Sequence, residues 1–147
     1  MEAHVTGTQR SPAQLYAFVF GAVLTVAGII GFFYNSDFTS NKAAHDDVFG
    51  MLSVNGWHNV VHIATGVLGL SAAATYASSR GYALGLGVVY IAVAIWGFVI
   101  GSGDSILSII PVNTPDNVLH LLIGIAGVAA GAATPAVAGP TTRPATS

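Results

Sequence analysis

A chain of 147 residues that is 53% hydrophobic and 7% charged lies far below the roughly 25% charge of soluble domains, which excludes water as its main solvent. A formal charge of −2 excludes a basic nucleic-acid footprint, and the absence of cysteine excludes disulfides and thiolate chemistry.

Taken in chain order, residues 1–12 read as a cytoplasmic N-terminal segment, followed by four apolar runs whose middles carry no Asp, Glu, Lys or Arg. Each run is near the ~20 residues that cross a hydrocarbon core. Backbone groups in lipid must be satisfied internally, so the runs predict helices over about 13–34, 57–78, 82–101 and 115–133. The first run exceeds the core of a secretory signal, and Phe32-Phe33-Tyr34-Asn35 offers no small-residue cleavage site, so a retained helix is expected. Two short apolar lead-ins, Val48 to Asn55 and Ile106 to Asn113, are too short to span. They are expected at the outer interface or folded back over helix ends. From Thr134 onward the chain is Pro, Ala, Thr and Gly without apolar periodicity, which predicts a disordered cytoplasmic tail over 134–147.

The chain repeats itself. Asn55-Gly56-Trp57-His58-Asn59-Val60-Val61-His62, then Gly66 and Gly69, returns as Asn113-Thr114-Pro115-Asp116-Asn117-Val118-Leu119-His120, then Gly124 and Gly127, at a constant offset of 58 (55 to 113). A weaker match joins Tyr16-Ala17, Gly21 and Gly31-Phe32 to Tyr82-Ala83, Gly87 and Gly97-Phe98. The fold class that follows is all-α: a four-transmembrane-helix bundle made of two parallel two-helix repeats about an axis along the membrane normal. Arg10, Arg80 and Arg143 fall on one side and Lys42 opposite, so the positive-inside rule puts both termini in the cytoplasm.

On a helix turning about 100° per residue, Asn55, Asn59, His62, Gly66 and Gly69 share an arc of about 80°, and Asn113, Asn117, His120, Gly124 and Gly127 repeat it. Small residues let backbones approach, so the stripe is expected to face a neighbouring helix. Polar groups at membrane depth need partners, which turns the Asn and His residues into the bundle. Asn55 with Gly56 reads as one helix start, and the hydroxyl of Thr114, with Pro115 and Asp116, as the other. His58, His62, Asp116 and His120 form a candidate transition-metal set, since imidazoles and a carboxylate one turn apart share a face. A variant makes His62 and His120 axial haem ligands. The competing reading needs no cofactor: interfacial helix-start groups and buried hydrogen-bonding histidines. His4 and His45 read as solvated. No nucleophile stands beside a base, so no catalytic residue is assigned and the chain is not read as an enzyme.

The motifs Val54 to His62 and Ile110 to His120 resemble those of a family of small four-helix bacterial membrane proteins, the domain of unknown function DUF4383, over about residues 14 to 131. The resemblance implies an integral protein of the bacterial cytoplasmic membrane and brings no activity, substrate or cofactor. The leading functional expectation is a structural or interaction module, whose partners are the lipid bilayer and other membrane proteins or a second copy. The alternative is a metal- or haem-binding redox module using the outer Asn/His/Asp cluster.

Overall fold

Ser11 opens the first helix. Its hydroxyl accepts the Gln14 N–H at 3.2 Å, the Gln14 side chain accepts the Ser11 N–H at 3.1 Å, and Pro12 takes the first helical position. From this start the computed structural model, described for residues 10–39 and 46–136, runs α1 (Pro12–Tyr34), β1 (Asp46–Val48), β2 (Leu52–Val54), α2 (Gly56–Ala72), α3 (Tyr76–Ile100), β3 (Asp104–Ile106), β4 (Ile110–Val112) and α4 (Thr114–Ala132). His4, Lys42, His45, Arg143 and the tail beyond 136 lie outside the described residues.

The protein is mostly helical, and α1, α3 and α4 are long and apolar enough to cross a membrane. At 17 residues, α2 falls short of the ~20 that a span needs. Its expected extent of 57–78 is corrected, because Thr75 caps α3 by accepting the Ser78 N–H at 3.2 Å. Tyr76, Ala77 and Arg80 therefore open the third helix, six residues before its expected start at 82. Arg80 is in the first turns of α3, where Nε donates to the Thr134 carbonyl at 2.8 Å. Thr134 is fully buried, and its hydroxyl accepts the Ala13 N–H at 3.0 Å. The end of α4 is thus bound to the starts of α1 and α3, and an ordered Thr134 replaces the expected first residue of a disordered tail.

The all-α expectation is corrected by two antiparallel hairpins. Asp46, Asp47 and Val48 pair with Val54, Ser53 and Leu52; Asp104, Ser105 and Ile106 pair with Val112, Pro111 and Ile110. Each lead-in folds back on itself because two successive residues adopt left-handed backbone: Phe49 and Gly50 (φ 52° and 69°), then Leu107 and Ser108 (φ 53° and 62°). The turns close through Met51 N–H to Val48 O and Ile109 N–H to Ile106 O, both 3.1 Å. Two consecutive positive φ values make the primed turn whose twist suits a hairpin.

The helices pack mainly as two pairs, α1 with α2 and α3 with α4. Glycines make both contacts. A Cβ added to Gly21 would stand 2.7 Å from Leu70 N and 2.9 Å from Gly66 O; at Gly87 it would stand 2.7 Å from Val128 N and 2.9 Å from Gly124 O. Gly66 and Gly124, with Asn59 and Asn117 of the same stripe, therefore face the preceding helix of their own pair, while Gly69 and Gly127 also meet Tyr82 and Tyr16 of the other pair. Between pairs, the Tyr16 hydroxyl donates to Ile123 O and the Tyr82 hydroxyl to Thr65 O, each at 3.0 Å. Thr65 and Ile123 are separated by the same 58 positions as the motif (65 to 123). Large apolar side chains such as Leu15, Val26, Val88, Ile95 and Leu122 point outward, while Asn55, His58, Asn59, Asp116, Asn117 and His120 are buried. This is the arrangement a hydrocarbon solvent favours.

Candidate metal centre

The site is assembled at the hairpin end of the bundle. Asn55 caps α2 by accepting the His58 N–H at 2.9 Å, which fixes the first turn and aims His58 inward. His58 Nδ1 lies 2.8 Å from the Ser53 carbonyl oxygen. A carbonyl only accepts, so Nδ1 carries the proton and Nε2 keeps its lone pair. His62, one turn later, places its ring centroid 4.4 Å from that of His58. His120 comes from α4, its ring 6.0 Å from His58 and 6.3 Å from His62.

One nitrogen from each of the three rings lies within 4.8 Å of the others. His62 Nε2 and His120 Nδ1 are buried and have no hydrogen-bond partner among the described residues. Such atoms carry an uncompensated desolvation cost. Three imidazoles with available lone pairs, one of them oriented by a backbone carbonyl, have the composition of a three-histidine metal site. The cavity they border is about 90 Å³, well below the ~300 Å³ at which pockets for drug-sized ligands begin. That space suits a single ion with a small ligand and does not accommodate a porphyrin between His62 and His120.

The family described as Domain of unknown function (DUF4383) matches residues 14–133. The chain belongs to that family. No curated protein and no solved structure matches it. The matched DUF4383 region contains all three converging histidines and both hairpins.

Asp116, read from sequence alongside the histidines, occupies a different place in this DUF4383 chain. Its Oδ2 accepts Asn113 N–H at 3.2 Å and Ser53 N–H at 2.9 Å, while Asn113 Oδ1 accepts the Asp116 N–H at 3.0 Å. Asn113, not Thr114, is the cap, and the Thr114 hydroxyl pairs with that of Ser102 at 2.8 Å. Asp116 therefore reaches the histidine cluster through the backbone of Ser53, whose carbonyl orients His58.

The remaining motif residues brace the site. Asn113 Nδ2 donates to Met51 O at 2.7 Å and to Ser53 Oγ at 3.0 Å; Asn55 Nδ2 donates to Ile109 O at 2.7 Å. Each hairpin is held by the cap of the other pair's inner helix. Asn59 Nδ2 donates to Asn35 O at 2.8 Å, and its Oδ1 lies over Gly31; Asn117 Oδ1 lies over Gly97 in the same manner. Gly66, Gly69, Gly124 and Gly127 occupy close helix contacts. The sequence reading missed Ser53, whose contribution is a backbone carbonyl that no residue type announces. It also missed Tyr90, which stands edge-on to His120 at 5.0 Å; its spacing in α3 carries no signal beyond packing.

Proposed function

We propose that this DUF4383 protein is a four-span protein of the bacterial cytoplasmic membrane that holds one first-row transition-metal ion on His58, His62 and His120. The observation that carries the reading is the approach of one nitrogen from each of three imidazoles to within 4.8 Å, where two of the rings hold a buried nitrogen with no partner among the described residues and the third has its tautomer set by Ser53. Imidazole sets of this kind suit zinc, copper, iron or nickel. His58 and His62 come from the first helix pair and His120 from the second, so the ion also fastens the two halves together at one end. Here the structural role expected from sequence and the metal site are one function.

The membrane topology belongs to the same proposal. Arg10 and Arg80 lie toward the end opposite the hairpins, which favours cytoplasmic termini and hairpins outside. A 17-residue α2 is about 26 Å long, and a few ångströms of bilayer thinning accommodate that length. The reciprocal Asn bonds at the 58-residue offset, and the reciprocal Tyr bonds whose acceptors Thr65 and Ile123 keep that offset, support descent of the two pairs from one duplicated unit. Metal analysis of detergent-purified protein, before and after incubation with zinc, copper and iron salts at neutral pH, tests the reading. One ion per chain is expected, lost in His62→Ala and in His120→Ala. Wild-type protein that stays metal-free in every salt overturns it.

A further inference from the structure

We infer that the three-histidine site keeps an open coordination position that takes a small uncharged ligand, of diatomic size, arriving from the bilayer between α2 and α3. The inference rests on the metal reading above and adds a ligand and a route to it.

The donor count leaves the position open. Among the described residues the converging group is three histidines, and the nearby carboxylate oxygen of Asp116 is engaged by two backbone N–H groups. Three protein ligands with a vacant fourth place distinguish reactive or ligand-binding metal sites from closed structural ones.

Space and chemistry define what could occupy it. The cavity of about 90 Å³ lies against all three imidazoles and is otherwise walled by Val61, Leu86, Val89 and Val93, with Ile106 and Ile110 of the second hairpin as further lining. Of its two hydroxyl-bearing side chains, Thr65 donates to Val61 O at 2.7 Å and Tyr90 stands edge-on to His120. Among the described residues no charged side chain lines the space, so an anion would enter without a counter-charge. A dry cavity of about 150 Å³ is filled by benzene, so this one suits a ligand of two or three heavy atoms.

The route follows from the exposed edges. Val61 and Val89 are 38% and 54% exposed on the apolar outer surface, while α2 packs mainly on α1 and α3 mainly on α4. The gap between α2 and α3 therefore leads from the hydrocarbon phase to the histidines, and neutral diatomics dissolve well in hydrocarbon.

Carbon monoxide is the probe. The full-length protein in lipid nanodiscs is loaded anaerobically with copper(I), exposed to carbon monoxide and read by infrared spectroscopy. One C–O stretching band, saturating at one carbon monoxide per copper, is expected. The double variant Val61→Phe/Val89→Phe should retain copper yet rebind carbon monoxide at least tenfold more slowly after flash photolysis, its copper content reporting that it has folded. Stoichiometric copper with no C–O band would overturn the open position while leaving the metal site standing. Unchanged rebinding in the folded double variant would overturn the route. Failure of copper to bind would overturn this inference, and only failure of zinc, copper and iron alike overturns the metal reading beneath it.

Discussion

Asp116 Oδ2 accepts the N–H of Ser53 at 2.9 Å, joining the first turn of α4 to the strand that leads into α2. The Ser53 carbonyl on the next peptide bond then receives His58 Nδ1. A carboxylate on one helix pair thus sets the ring orientation of a histidine on the other.

Asp116 should behave as a positioning residue. Asp116→Ala should weaken metal affinity by about 10–100-fold, the usual effect of losing a group that orients a ligand. Asp116→Asn keeps an oxygen acceptor and should restore most of the affinity, whereas a directly bound carboxylate would lose it in both variants. Competition titration against a chromophoric chelator measures the difference.

The two interhelical tyrosines should prove equivalent. Tyr16→Phe and Tyr82→Phe each delete one hydroxyl bonded to a carbonyl of the other pair. Each should lower stability by about 0.6 kcal/mol, and by no more than ~1.7 kcal/mol, the range measured for such bonds in membranes. Unfolding in a graded series of denaturing detergent gives both values, and a much larger loss in one would break the equivalence.

Glycines should divide by what their Cβ would meet. At Gly97 it would strike the Asn117 side chain, while nothing lies within 4 Å of the position at Gly85. Gly97→Ala should cost about 1–3 kcal/mol by overpacking. Gly85→Ala should be neutral or gain up to ~1 kcal/mol from reduced backbone entropy. Equal stabilities would disprove the close contact between α3 and α4.

Much of this architecture was legible because it rests on side chains with local rules. Asn55 stands three residues before the N–H it accepts, and the Gly66/Gly69 and Gly124/Gly127 stripes carry their packing role in their spacing. Where sequence reading went astray, a backbone group or a competing local use decided the outcome. Asp116 has a metal-ligand residue type, yet Asn113-x-x-Asp116 is equally a capping box, and the local bonds prevail. The hairpins have three-residue strands, too short for a readable alternation. Gly50 hints at the first turn, but Leu107-Ser108 has no residue typical of positive φ. The end of α2 has no Gly or Pro to mark it; Ala72, Ala73 and Ala74 are good helix formers, and only the Thr75 cap of the following helix ends the run.

Topology can be tested cleanly because the chain has no cysteine. Ser108 sits at an exposed hairpin tip and Ser78 in the exposed first turn of α3. In intact cells an impermeant thiol reagent should label Ser108→Cys and leave Ser78→Cys unlabelled until the membrane is permeabilised. The opposite pattern would invert the protein in the membrane.

His58 and Asp116 hold corresponding places in the two pairs, and this one inequality would fix the parity of the proposed donor set. A two-fold axis supplies side chains in twos, so a strictly symmetric arrangement of these helices could present two imidazoles or four, never three. With His62 and His120 as the matched couple, His58 would be the unmatched donor of the proposed site, and the residue at the corresponding place is the acid that steadies its backbone anchor. An identical pair of half-length chains could not achieve that division of labour. A single chain, whose two pairs carry different residues at one place, can.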